Sequence, residues 1–271
     1  MADLVGQTRF TILGCGSSPG VPRIADDWGN CDPKNPKNRR RRASMLVEKF
    51  GPDGTTTVVI DTGPDFREQM ITAGISWADA VVYTHSHADH IHGIDDLRSF
   101  VINDPKRRRV PIWADDFTSQ RLHEGFGYCF ETPEGSNYPP ILDENRIVAK
   151  QPFTISGAGG DIELLPFEQP HGNILSLGFR IGNVAYCSDV SALDERALPY
   201  LENLDVWIID ALQYREHPSH LSLDQTLAWI EKLKPQRAIL THMHTPLDYE
   251  TVLAATPDHV EPAFDGLQFK A

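Results

Sequence analysis

Thr84-His85-Ser86-His87-Ala88-Asp89-His90 places four potential metal ligands within six residues, directly after the short apolar run 80–83. Two histidines spaced by two can converge on one ion from a tight loop. Asp89 and His90 then point onward to a second. Imidazole combined with carboxylate suits zinc, manganese or iron. A lone buried histidine is usually a satisfied core residue, but core packing gives no reason for four ligands in one loop.

Further ligands stand in matching contexts. His171, in Gln169-Pro170-His171-Gly172, follows the apolar segment 161–167. Asp189, in Cys187-Ser188-Asp189-Val190, follows 184–187, and His242, in Leu240-Thr241-His242-Met243, follows 238–240. Each lies just past a strand-like run, where loops gather at one edge of a sheet. Singly each reads as structural; in this order after the first cluster they read as a metal site.

The patterning between these points is mixed. Strands are expected at 9–13, 44–49, 56–60, 80–83, 109–113, 161–167, 174–181, 184–187, 206–209 and 238–240. Pro64 is expected to open a helix with Phe66, Met70 and Ile71 on its apolar side, and Asp115 one that carries Phe117 and Leu122. A third helix covers 222–233, with Ser222 as N-cap and Leu223, Leu227, Ile230 and Leu233 on one face. Residues 125–160 are rich in Gly and Pro and show no clear period. Interleaved strands and helices without linker or repeat predict an α/β protein, one domain over 1–271, with mixed sheets between helices.

Composition narrows the function. The chain has 271 residues, 40% of them hydrophobic, and a net charge of −13. That charge disfavours a large nucleic-acid partner or an anionic membrane. No apolar run approaches the roughly 20 residues of a membrane span, and the start lacks the pattern of a signal peptide. Cys15, Cys31, Cys129 and Cys187 form no close pair, so a reducing cytoplasm is the simplest compartment. A homodimer is left open. The charge is uneven: residues 1–110 carry 15 Lys+Arg against 14 Asp+Glu, and residues 111–271 carry 10 against 24. The runs 39–42 and 106–109 are either solvated faces or a rim that attracts an anionic substrate.

His85-x-His87-x-Asp89-His90 followed by His171, Asp189 and His242 resembles the ordered ligand motifs of the metallo-β-lactamase superfamily. Asp61, in Ile60-Asp61-Thr62-Gly63, matches the acidic residue that precedes them. The resemblance implies an αββα sandwich, two mixed sheets between layers of helices, with a dinuclear site at the sheet edge. It implies that His85, His87 and His171 hold one divalent ion and Asp89, His90 and His242 the other, with Asp189 bridging. Asp61 would fix the histidine loop without binding metal. Two such ions, zinc or manganese first and iron as a further option, would lower the pKa of a bridging water and stabilise charge on the attacked group. Asp89 would then serve both as ligand and in the chemistry. Cys187 is expected to pack as a small hydrophobe.

Three stretches are similar to the PhnP-type branch, the phosphoribosyl cyclic-phosphate phosphodiesterases related to tRNase Z. They are the glycine-rich 13–23, the basic 36–44, and His217-Pro218-Ser219-His220-Leu221-Ser222. In that branch the residue matching His220 acts beside the metals, which makes His220 the expected general acid; it also reads as a helix-start histidine near Ser222. The branch carries a structural zinc on three loop cysteines and a histidine. Here only Cys31 remains in that loop and Thr245 stands at the histidine position, so no structural zinc is expected and Trp28 with loop packing would substitute. Ser17, Ser18, Arg42 and Arg67 are candidate substrate-binding residues, and the backbone of 14–20 could offer N–H groups to phosphate.

The expected function is a metal-dependent hydrolase, a phosphodiesterase acting on a small cyclic phosphate or nucleotide-like ester through a hydroxide held between the two metals. A tRNase Z-like endonuclease is weakened by the acidic second half. A thioesterase or lactonase fits the metal motifs alone, and a non-catalytic carrier on the same fold is a fourth option.

Overall fold

The computed structural model describes residues 4–271; residues 1–3, the start of the stretch read above for a leader, lie outside it. In chain order the strands are β1 (Thr8–Gly14), β2 (Ser44–Gly51), β3 (Gly54–Ile60), β4 (Ala80–Val82), β5 (Val110–Ala114), β6 (Leu142–Arg146) and β7 (Phe153–Ile155). They continue as β8 (Ile162–His171), β9 (Ile174–Ile181), β10 (Val184–Cys187), β11 (Val206–Asp210), β12 (Arg237–Thr241), β13 (Val260–Pro262) and β14 (Gln268–Lys270). The helices are α1 (Phe66–Ala73), α2 (Ala88–Ile91), α3 (Arg98–Asn103), α4 (Asp116–Phe126), α5 (Leu223–Leu233) and α6 (Tyr249–Ala255).

The strands make two mixed sheets, in the orders β14-β1-β2-β3-β4-β5-β6 and β13-β12-β11-β10-β9-β8-β7. In the first, β1 to β3 form an antiparallel meander and β3 to β6 are parallel. In the second, β7 to β10 are antiparallel and β10 to β13 parallel. Every residue of β11, Val-Trp-Ile-Ile-Asp, is buried, as a central parallel strand covered on both faces requires. Phe10, Met45, Val58 and Ile60 of one sheet meet Phe167, Phe179, Trp207 and Ile208 of the other in the main core. A second core packs Phe66, Met70, Phe100 and Leu122 of the helices beneath the first sheet, against Val59, Val81 and Ile112. This is the αββα sandwich.

Some local expectations are corrected. Pro64 precedes the helix instead of opening it: α1 starts at Phe66 after Asp65. Asp65 makes no side-chain cap bond, because its carboxylate accepts from Arg42 N (2.9 Å) and Nη1 (3.1 Å). Ile71 and Phe117 are exposed, and only Phe66, Met70 and Leu122 carry the apolar faces. The unassigned 125–160 contains β6 and β7, and 249–271 contains α6, β13 and β14. β6 reads Leu-Asp-Glu-Asn-Arg and buries only Leu142, so it lacks the alternation that marks a strand.

The arginine run also departs from expectation. Arg39 is exposed, but Arg40 is buried beneath loop 21–38. Arg40 Nη2 donates to the Leu247 carbonyl (2.7 Å) and Asn38 Oδ1 (3.2 Å), and Nη1 lies near His244 O and Cys31 Sγ. Cys31 Sγ donates to the carbonyls of Thr245 and Leu247 (3.4 Å each). The clamp between this loop and the segment after His242 is therefore a guanidinium, and Trp28 instead bonds Asp26 at the surface.

The glycine turn 14–20 is spent on packing. Gly14 must be glycine, since a Cβ there would sit 2.0 Å from Arg42 O. Gly16 N and Ser17 N donate to Arg41 O and Met243 O, and Met243 N to Cys15 O, so these N–H groups hold the turn against the His242 loop and are not offered to phosphate. Asp265 anchors the same turn, accepting from Cys15 N (3.2 Å) and Arg41 N (2.8 Å). Burial pushes its pKa up to about 7 despite these donors and the nearby Arg41 guanidinium. A carboxyl whose pKa is raised by folding stabilises the fold fully below its unfolded value and loses that contribution as pH rises through the folded one. Wild type should therefore lose stability relative to Asp265→Asn between about pH 4 and 7, by up to about 1.4 kcal/mol per pH unit. Denaturant melts of both proteins at pH 5 and 7 measure this; a difference independent of pH would contradict it.

Candidate metal centre

Six strands deliver the site from one edge. β3 ends before Asp61, β4 three residues before His85, β8 at His171, β10 two residues before Asp189, β11 at Asp210 and β12 before His242. Asp61 (φ 66°) and His242 (φ 56°) both adopt left-handed backbone. That conformation is costly for residues with a Cβ and tends to mark functional positions.

Asp61 organises the histidine loop. Its carboxylate, fully buried, accepts from Thr84 N (2.8 Å), Thr84 Oγ1 (2.8 Å) and His90 Nδ1 (2.7 Å). His90 therefore carries its proton on Nδ1 and presents Nε2. Thr84 spends its hydroxyl proton on Asp61, so its oxygen accepts from His85 Nδ1 (3.0 Å), which frees His85 Nε2. His171 Nδ1 donates to the Ser219 carbonyl (2.6 Å) and likewise turns Nε2 inward. Three tautomers are thus set by neighbours that are not themselves in the cluster.

The inward atoms form two groups. His85, His87 and His171 make one, with His171 Nε2 and His87 Nδ1 3.0 Å apart; Asp89, His90 and His242 make the other. Asp189 lies between them. Its oxygens are 3.9 Å from His85 Nε2, 3.7 Å from His171 Nε2, 3.2 Å from His90 Nε2 and 3.3 Å from His242 Nε2. Asp89 Oδ2 is 3.4 Å from His90 Nε2 and 3.5 Å from His242 Nε2. Despite this crowding, His85 Nε2, His90 Nε2, His242 Nε2, Asp89 Oδ2 and Asp189 Oδ1 are buried without a hydrogen bond. Lone pairs turned on a common centre yet bonded to nothing fit divalent cations. All seven expected ligands are brought together.

Burial pushes the pKa of His85 and His87 down, and that of His171 down to about 4, so these imidazoles are neutral at pH 7. Burial also opposes charge on His90, but Asp189, Asp89 and Asp61 together hold its pKa well above the usual value. Burial would raise Asp89 and Asp189, yet the imidazoles around them, His90 for Asp89 and His242 and His90 for Asp189, keep both carboxylates ionised.

His220 flanks the cluster. Its ring stacks on that of His242 (4.6 Å) and meets that of His171 edge-on (4.7 Å), with Nε2 4.0 Å from Asp189. Its Nδ1 bonds Asp210 Oδ2 (2.7 Å), which also accepts from Val190 N (3.0 Å). Sequence reasoning missed Asp210, although it ends an apolar strand as Asp61 follows one. Ser17 is buried, with Oγ 2.8 Å from His244 Nδ1. Ser18 is exposed and its carbonyl accepts from Arg42 Nε (3.0 Å). Arg42 is committed to that bond and to Asp65. Arg67 falls outside the cluster: it is exposed, pairs with Glu68 and lines a groove with Asp96, Ser99 and Asn103. Arg108 and Arg109 pair with Asp104 and Asp143 at the surface.

Residues 56–243 match the Beta-lactamase superfamily domain. A solved structure described as a new diphosphatase from the PhnP family superposes with TM-score 0.87 at 34% identity, covering 98% of this chain and 97% of that one. The chain therefore belongs to the metallo-β-lactamase superfamily of hydrolases, in its PhnP-type branch. Human tRNase Z, short form, shares the fold at 16% identity and TM-score 0.60, over 96% of this chain and 98% of that one. A Porphyromonas gingivalis protein named octanoyltransferase is 31% identical over 96% of this chain, which spans about half (51%) of that relative's length. Among the described residues no helix is long and apolar enough to cross a membrane.

Asp61→Asn replaces one carboxylate oxygen with an N–H₂ that can only donate, so the remaining oxygen cannot serve Thr84 N, Thr84 Oγ1 and His90 Nδ1 together. Metal affinity should fall about 10–100-fold, read by competition with a chromophoric chelator. Unchanged affinity would remove Asp61 from its organising role.

Proposed function

We propose that the protein is a dinuclear metal-dependent phosphodiesterase acting on a small phosphorylated ester, with His220 as general acid. The observation that carries this is the Asp210–His220 pair, whose outer nitrogen faces Asp189 at 4.0 Å between the two ligand groups. His85, His87 and His171 would hold one divalent ion, and Asp89, His90 and His242 the other, with Asp189 shared. When bound, zinc, manganese or iron in those groups supplies charge neutralisation at phosphorus and activation of water. Asp210 fixes His220 with Nδ1 engaged, so Nε2 is the atom that gives a proton to the departing oxygen. Burial lowers the His220 pKa, which strengthens it as an acid.

The similarity to the PhnP-family diphosphatase over nearly the whole of both chains supports phosphorus chemistry. The octanoyltransferase name belongs to a protein of which half lies beyond the match, and it carries less weight here. A large RNA substrate is disfavoured by the net charge of −13.

His220→Ala should retain metal and lose about 10²–10⁴-fold in turnover on a ribose cyclic phosphate. The loss should be smaller on a bis(aryl) phosphate, whose leaving group needs no proton. Equal losses would reject the general-acid role. A panel that adds a cyclic nucleotide, precursor tRNA and an acyl thioester checks the reaction class: turnover of the thioester alone would overturn the proposal.

A further inference from the structure

We propose that the groove between Phe117, Val148 and Leu175 binds an uncharged apolar arm of the substrate, the ester group that stays on phosphorus. This rests on the phosphodiesterase reading and narrows it to diesters that carry one alkyl or aryl arm.

Strand topology sets the place. β3 to β6 run parallel, so the residues after them gather at one edge of the sheet. Asp61 follows β3 and His85 comes after β4; residues 115–117 follow β5 and 147–149 follow β6. Neighbouring strands stand about 5 Å apart, so this stretch starts one strand away from the histidine loop. The other wall is the β8–β9 hairpin, in which His171 pairs with Ile174. Leu177 N donates to Thr84 O (2.8 Å), which joins that wall to the residue before His85. A groove of about 510 Å³ lies between, lined by Phe117, Ile147, Val148, Glu168, Leu175 and Leu177. That size is ordinary for small-molecule clefts.

The lining selects the occupant. Phe117 and Val148 are each 52% exposed and Leu175 38%, although all three are large apolar side chains. The Asp115 carboxylate accepts from Thr118 N (2.8 Å) and fixes the first turn of α4, which holds Phe117 at the groove. Among the described residues no Lys, Arg or His lines it, whereas Asp115, Asp116 and Glu168 do. A second phosphoryl or carboxylate group is therefore repelled, and an uncharged apolar arm gains by leaving water. The proton donor His220 stands elsewhere: Asp210 holds it from the end of β11, two strands from β9. The departing oxygen goes to His220, which leaves the groove to the arm that is retained.

The test compares methyl 4-nitrophenyl phosphate with hexyl 4-nitrophenyl phosphate on the metal-loaded enzyme. Both release the same nitrophenolate and differ only in the arm that stays on phosphorus. Wild type should show a KM about tenfold lower for the hexyl ester at similar kcat, the signature of ground-state binding. Phe117→Ala and Leu175→Ala should each raise KM for the hexyl ester about threefold or more, and for the methyl ester by less. A hexyl arm ending in a carboxylate should lose most of the gain, and Glu168→Gln should restore part of it. Three results would overturn the groove while leaving the phosphodiesterase reading intact: equal KM for the methyl and hexyl esters in wild type, equal losses on both in the variants, or a carboxylate arm that keeps the gain. Wild type that cleaves neither ester would overturn that reading, and this inference with it.

Discussion

Asp189 is a carboxylate taken wholly out of water and surrounded by imidazole nitrogens on all sides, with one oxygen bonded to nothing. An isolated buried charge of this kind costs several kcal/mol. It is tolerated only because His242, His90 and His85 stand close enough to hold it ionised. Those histidines in turn cannot all be protonated, since burial and mutual repulsion drive His85 and His171 toward neutrality. The protein alone thus leaves the site with more lone pairs than protons, an imbalance that divalent cations correct. The left-handed backbones of Asp61 and His242 belong to the same economy: local strain is accepted to aim groups at a shared centre.

The rest of the sandwich exists to make that convergence repeatable. Parallel strands β3–β4 and β10–β12 end at one edge, so the residues after them arrive together whatever the lengths of the intervening loops. Beneath the ligands, Asp61, Thr84, Ser219 and Asp210 hold the far nitrogen of four imidazoles by hydrogen bonds of 2.6 to 3.0 Å. Rotating any of these four rings would break its bond, so His85, His90, His171 and His220 are set before anything binds. Such preorganisation is where a hydrolytic site gains most of its electrostatic advantage.

How much of this could be read from the chain follows from where the signal is local. Strands buried on both faces are written as unbroken apolar runs, and a ligand placed after such a run is visible with it. The histidine cluster, Asp189 and His242 were legible for that reason. β6 was not, because it is a polar edge strand with one buried side chain. β13 and β14 are three residues each, too short to carry a period. The destination of Arg40 was illegible for another reason. Its partners, Leu247 O and His244 O, are backbone carbonyls some 200 residues away, which have no sequence signature. Asp210 sat in plain view after an apolar run and lacked only the knowledge that His220 would fold over it.

The fate of the arginines bears on recognition. A run of four guanidiniums beside a metal cleft suggests a phosphate clamp, yet Arg40 is sealed beneath the loop, Arg42 is tied to Asp65 and Ser18, and Arg41 to Thr72 and Glu68. These bonds hold loop 14–20 and the segment after His242 in register, so the run contributes to the site by shaping its wall. Of the four, Arg39 is the one left exposed at the surface. Cations held by the ligand groups around Asp89 and Asp189 would supply attraction for an anion even in a chain of net charge −13. Guanidiniums already committed to carbonyls and carboxylates fix the shape of that wall while adding little charge that would hold substrate and product alike.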